Sequence, residues 1–235
     1  MNEDERLLQV AGLSGVIAGI ISFLLTLMTG GLGYATEPGF VSGGWPQFLA
    51  QWFTNYAPLG EMVGLGMVGL AAMMIYLTLY RTLKITSPNY AMVCLGFGVI
   101  ASAILVGFLV LRYYAFFSAA VVYNSAAVSE KPTIINVARV LVYSTYGLFF
   151  TQGVLWIFAF LGTGVAIRSS RTFGRGYSWM NIAFGLLFIL FFAIAAEGFA
   201  TPDAPNIAFL FIELFYVEWT VILGQKLYRL SRPWS

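Results

Sequence analysis

The chain has 235 residues, of which 60% are hydrophobic, 17% aromatic and only 9% charged, and its net charge is +2. A soluble domain carries about 25% charged residues to dress its surface, so this composition excludes a mainly water-facing protein, and the small net charge gives no basis for nucleic-acid binding. With no histidine and a single cysteine, Cys94, His-ligated haem, His general bases, intramolecular disulfides and Cys-cluster metal sites are excluded together, and no cofactor is expected.

A spanning helix needs about 20 mostly apolar residues. The first such run covers residues 7–32, after the start Met1-Asn2-Glu3-Asp4-Glu5-Arg6. A secretory signal opens with positive charge and closes at a small-residue cleavage site. This opening is acidic on balance and the run is long, so it reads as a retained span. A loop rich in Gly, Pro and aromatics follows, from Gly33 to Ala57. Its centre, Gly43 to Phe53, predicts a short interfacial helix starting near Pro46 and lying over the mouth of the bundle.

The second span, 58–80, opens on Pro58 and is closed by Arg81, Lys84 and Pro88. A third apolar run goes from Tyr90 to about Tyr123. That would be about 50 Å of helix, longer than the bilayer, so the span is assigned to 90–114 and the remainder must tilt, break or project. The fourth span is 139–167, followed by a basic loop from Arg168 to Gly176. The fifth is 177–200, and the turn Thr201-Pro-Asp-Ala-Pro205 separates it from the sixth, 206–228. The fold class is therefore all-α: one membrane domain over 1–235, a six-transmembrane-helix bundle.

Loop cations orient it. Arg6, Arg81, Lys84, Arg168, Arg171, Arg175, Lys226, Arg229 and Arg232 gather on one side, against Lys131 and Arg139 on the other. The positive-inside rule then places both termini in the cytoplasm, in a multi-pass protein of the cell membrane, a bacterial or archaeal inner membrane. The aromatic loop after the first helix falls outside.

Gly64-Leu-Gly66-Met-Val-Gly69 matches the dinucleotide fingerprint, which requires a strand before it and a helix opening at it. Here it lies inside an apolar helix, where small residues serve close packing. Gly15/Gly19 and Gly60/Gly64 repeat that spacing. Leu79-Tyr80-Arg81 and Leu227-Tyr228-Arg229 echo each other faintly, too weakly to establish a duplication.

Charges inside apolar runs carry more information, because each costs at least roughly 2.5–3.5 kcal/mol at the bilayer centre and such groups face a cavity or each other. Glu61, Arg112, Arg139, Glu197 and Glu213 all fall in the outer half, and Glu218 lies near mid-membrane. Gln225 is seven residues after Glu218, on its face, and Gln152 in the fourth helix can face either glutamate. Arg112 is expected to pair with Glu213 or Glu61. Glu213, well inside an apolar helix, is expected to be the acid closest to function.

Three segments resemble the six-helix bacterial membrane proteins grouped as the DUF4386 family: Arg6-Leu-Leu-Gln-Val-Ala-Gly-Leu13, the stretch from Arg168 to Gly185, and Glu213 through Glu218-Trp219 to Gly224-Gln-Lys226. The resemblance implies a six-helix membrane fold over nearly the whole chain and no particular activity.

The expected function is transport or binding of a small molecule or ion through an outward-facing polar pocket. The alternative is a non-catalytic structural or accessory subunit of a larger membrane complex. Expected partners are the lipid bilayer, a small-molecule or ion ligand and other membrane proteins, with no nucleic acid. A Ser–His catalytic pair is impossible without histidine, and nothing places a substrate beside paired glutamates.

Overall fold

The computed structural model describes residues 3–28, 38, 43–198 and 207–232. Their elements are α1 (Glu3–Met28), α2 (Gly44–Ala50), a 3-10 turn (Trp52–Thr54), α3 (Ala57–Leu83), α4 (Pro88–Ser125), α5 (Lys131–Arg168), α6 (Arg175–Gly198) and α7 (Ile207–Leu230). α3, α4 and α5 each carry proline in the first turn, where a missing N–H costs nothing and the fixed φ suits a helix. Among the described residues, five helices, α1, α3, α4, α5 and α6, are long and apolar enough to cross a membrane. Their outward side chains, such as Ile17, Leu70, Val154 and Leu186, are exposed and apolar, as lipid-facing surfaces require.

The helices form a ring. α1 packs against α7 and α3, α3 against α4, α4 against α5, α5 against α6, and α6 closes on α7. α1 and α7 run antiparallel at close range. A Cβ on Gly12 would stand 2.5 Å from the Tyr228 backbone nitrogen and 2.8 Å from the Gly224 carbonyl oxygen, and one on Gly15 would stand 2.9 Å from the Thr220 carbonyl oxygen. Glycine there lets two backbones touch, which is how helices associate where the solvent is as apolar as the side chains. The α6–α7 seam is instead spaced by rings, Phe191 on Phe211 at 5.3 Å and Phe184 on Phe215 at 5.5 Å. The fingerprint-like glycines divide in the same way: Gly64 abuts Ser22 of α1, Gly69 abuts Val106 of α4, and Gly66 faces open space.

Two boundaries differ from the sequence reading. α4 does not break: it runs 38 residues to Ser125, about 57 Å, against a hydrocarbon core of about 30 Å. Phe116, Ala119, Ala120 and Tyr123 are buried on this extension, so tertiary packing sustains it. α5 begins at Lys131 rather than 139. Its first turns are amphipathic, with Ile134, Ile135 and Ala138 packed into the core, and the eye that seeks a long apolar run passes over them. Residues 29–32 of the first expected span, and 199–200 and 206 at the next two boundaries, lie outside the described residues.

The ends of α1 and α7 that carry Glu3 and Leu230 share one end of the ring, the terminal end. Arg81 joins it, 3.3 Å from Glu3 and 3.7 Å from Asp4. These are exposed pairs, worth little on their own. The opposite, distal end carries α2 and the α4–α5 turn.

The close α1–α7 approach gives a signed prediction. Gly12→Ala must push two backbones apart and should cost about 1–3 kcal/mol. Gly96→Ala, on a helix face where an added Cβ meets nothing within 4 Å, should gain about 0.5–1 kcal/mol from helix propensity. Thermal midpoints in detergent check the pair, and equal shifts would deny that α1 and α7 are in backbone contact.

Candidate functional site

Glu61 stands one turn into α3, after Pro58, and Arg112 lies in α4. The Arg112 Nη1–Glu61 Oε1 distance is 2.5 Å, and the two side chains are 4% and 9% exposed. The Arg112 guanidinium also lies over the rings of Phe108 and Phe116, at 5.9 and 5.5 Å. A cavity of about 10 Å³ adjoins the pair, lined by Pro58, Met62 and Leu109 among others, room for about one water.

α2 packs beside this pair, on Phe116 of α4. It starts at Gly44, just before the expected Pro46, because Gly43 and Gly44 take φ of +89° and +60°, a left-handed conformation that glycine adopts without strain. One face of it is packed into the protein while Pro46, Gln47 and Ala50 are exposed. Trp45, Phe48 and Leu49 are buried, and Trp45, Phe48 and Trp52 pack on Phe116 at 5.9, 4.8 and 5.5 Å. Asn124 Nδ2 donates to the Leu49 carbonyl at 2.9 Å. Arg139, half-buried on α5, lies over the Trp45 ring at 5.9 Å. Phe116 is thus the shared surface on which the ion pair and the cap both rest.

A second polar layer lies deeper in the ring, built from tyrosine, tryptophan and amide groups. The Tyr76 ring of α3 lies flat on Gly98 of α4, where any Cβ would collide with it. It stacks on Trp219 of α7 at 4.9 Å. The Trp219 Nε1 donates to Asn181 Oδ1 of α6 at 2.8 Å, and Asn181 Nδ2 donates to the Tyr177 carbonyl at 2.8 Å. Ser102 Oγ donates to the Gly98 carbonyl, so the Tyr216 hydroxyl, 2.9 Å away, donates to Ser102. Tyr216 packs on Trp156 of α5 at 3.9 Å.

One turn before Trp156 sits Gln152, which is 0% exposed. Phe149 on its other side packs against Phe108 of α4 and Phe192 of α6, so this face of α5 points into the ring. Among the described residues, neither the Oε1 nor the Nε2 of Gln152 has a hydrogen-bond partner, and the buried Tyr76 hydroxyl has none either.

The structure therefore brings together Glu61 and Arg112, one of the two pairings expected, and adds Arg139 through the aromatic cap. Gln152 is placed at the centre. Glu213 is half-buried on α7, a turn before Tyr216. Glu218 and Gln225 share a face, as their spacing implied, but that face is exposed on the outside of α7. Glu197 lies in α6 with its side chain outside the described residues. Among the described residues no group of three or more His, Cys, Asp or Glu is arranged to hold a metal ion. Sequence reasoning missed Tyr76, Ser102, Trp156, Asn181 and Tyr216. The available signal was tyrosine and tryptophan in mid-span, away from the interfacial belts where such rings collect.

No protein-family model, curated protein or solved structure matches the chain. The DUF4386 resemblance accordingly rests on its three segments alone.

The ion pair generates a double-mutant test. Arg112→Leu strands a buried carboxylate and should cost about 3–5 kcal/mol. Adding Glu61→Gln should recover a large part of that loss, giving an interaction energy well outside the roughly 0.3–0.5 kcal/mol scatter of independent sites. Thermal or denaturant unfolding of the four proteins in one detergent measures it, and additive costs would show that the two charges do not depend on each other.

Proposed function

We propose that this chain is a membrane protein that binds a small polar solute or a cation inside its helix ring, at the hydrogen-bonding centre around Gln152, and handles it by way of the distal end. A six-helix bundle with both termini in the cytoplasm, and hence an outward-facing distal end, belongs to this reading, supported by the loop cations and by the shared terminal end of α1 and α7.

Gln152 carries the proposal. Leaving a buried polar group unsatisfied costs about 1–3 kcal/mol, and native interiors almost always satisfy such groups. Here a carboxamide with both atoms free stands 0% exposed near mid-bundle. It presents a donor and an acceptor, with the Tyr76 hydroxyl in the same interior, and neither is ionic. That chemistry suits a neutral polar molecule, or a cation taken by carbonyl and hydroxyl oxygens.

The ion pair lies between this centre and the distal end. Gln152 is about 24 Å from the Arg168 end of α5, and Arg112 is about 36 Å from the Pro88 end of α4. A solute entering distally passes the Glu61–Arg112 layer, where the adjoining cavity has room for only about one water. Opening must separate Arg112 from Glu61 or lift α2 from Phe116.

One observation favours the second reading, an accessory subunit. Glu218 is exposed on the outer face of α7, about 18 Å from the Leu230 end. A carboxylate facing hydrocarbon there costs at least roughly 2.5–3.5 kcal/mol, and a neighbouring helix offering a donor would relieve it.

The test replaces Gln152 by Leu and follows thermal midpoints against sodium and potassium chloride and a panel of zwitterionic amino acids. At about 100 times its dissociation constant a bound solute stabilises by about 2.7 kcal/mol. At least one probe should raise the parent's midpoint, and Gln152→Leu should abolish that rise. If Gln152→Leu simply melts higher and no probe moves either protein, the amide is a structural defect and the subunit reading moves ahead.

A further inference from the structure

At the terminal end a crevice of about 540 Å³ opens between the α3–α4 turn and the end of α5, lined by Ser87, Asn89, Tyr90, Val165, Arg168 and Ser169. This lies within the ~300–1,000 Å³ of ordinary ligand pockets. Its floor is a hydroxyl pair, Ser87 hydrogen-bonded to Ser169. Its one charged wall is Arg168, whose guanidinium lies over the ring of Trp179 at 5.8 Å. A guanidinium held near a ring by a cation–π contact keeps its N–H groups available for a bidentate acceptor. No carboxylate among the described residues forms a salt bridge with Arg168.

The surroundings sharpen the chemistry. The two segments that frame the crevice, residues 84–90 and 168–178, contain Lys84, Arg168, Arg171 and Arg175 and no Asp or Glu. The first turn of α1 carries three acids, Glu3, Asp4 and Glu5, of which Glu3 and Asp4 pair with Arg81.

Below the crevice the surface turns apolar without interruption. Val165, Phe158 and Val154 of α5 are exposed on one face, a stripe about 17 Å long. Val93 of α4 lies against Gly162, and Phe97 meets Phe158 at 5.4 Å, so the stripe follows the α4–α5 seam. Half a hydrocarbon core is about 15 Å. A polar, cationic head site continuous with an apolar stripe of acyl-chain length is the shape of one molecule.

We propose that this crevice binds the headgroup of an anionic phospholipid, with the phosphate on Arg168 and the Ser87–Ser169–Asn89 hydroxyl and amide groups and one acyl chain along the α4–α5 seam. Basic pockets between helices on the cytoplasmic side are the general form of such sites. The site is separate from the Gln152 centre and does not depend on its solute.

Native mass spectrometry of the whole chain, released from micelles doped with phosphatidylglycerol or phosphatidylcholine, tests the assignment. The parent should retain phosphatidylglycerol in preference to phosphatidylcholine, and Arg168→Gln should weaken retention about fivefold, the worth of one juxtamembrane cation. Arg171→Gln removes the same charge from the same end at a residue that does not line the crevice and should weaken retention clearly less than Arg168→Gln, and millimolar inorganic phosphate should not displace the lipid. Equal losses in Arg168→Gln and Arg171→Gln would overturn the proposal in favour of diffuse charge attraction. Displacement by phosphate would overturn it in favour of a free-anion site.

Discussion

Two opposite charges, held where neither reaches bulk water, tie α3 to α4 and set the order of everything at the distal end. Glu61 and Arg112 are each almost fully enclosed, and a charge so placed is tolerated only with its partner in position. Arg112 does a second thing: its guanidinium lies on Phe116, and Phe116 is the surface on which Trp45, Phe48 and Trp52 of the cap are seated. The electrostatic requirement and the aromatic packing are thereby joined through one side chain. Moving Arg112 disturbs both the α3–α4 seam and the cap, so closure of this end is a single event rather than two.

Deeper in the ring the same constraint acts on neutral groups. Hydrocarbon offers no water, so every polar group must be answered inside the protein. Trp219, Asn181, Ser102 and Tyr216 meet that requirement with one another and with backbone carbonyls. Gln152 and Tyr76, equally buried, do not. The Nε1 atoms of Trp45 and Trp156 likewise lack partners among the described residues, so the open amide and hydroxyl of Gln152 and Tyr76 stand out by offering a donor and an acceptor together. That contrast, more than any single charge, directs the functional reading to the interior.

The helical class, the presence of several long apolar helices and the packing role of Gly15, Gly19 and Gly64 were legible in the sequence, because a 20-residue apolar run and a small-xxx-small spacing are local properties. The Glu61–Arg112 pairing was legible as one of two choices, since depth along a helix follows from residue number while direction around the axis does not. What was hidden depends on neighbours. The extensions of α4 and α5 exist because Phe116, Ala120 and Ala138 are buried by neighbouring elements. α2 is buried because Phe116 lies beneath it. Glu218 and Gln225 share a face by spacing alone, but that the face looks outward is decided by where α1 and α6 stand. The interior layer of Tyr76, Trp156 and Tyr216 was overlooked because each reads as one more aromatic in an aromatic-rich chain.

The claim that the buried pair holds the distal cap closed is tested most directly by amide hydrogen exchange in α2. In the parent protein the amides of Phe48, Leu49 and Gln51 should exchange slowly, Gln51 being bonded to the Gln47 carbonyl at 3.0 Å. In Glu61→Gln, which leaves every α2 contact chemically intact, their exchange should speed up by about tenfold or more, equivalent to about 1.4 kcal/mol of lost local stability, while amides around Val68 in the middle of α3 stay protected. Unchanged α2 protection in Glu61→Gln would contradict the account, because the cap would then be held by its aromatic contacts alone.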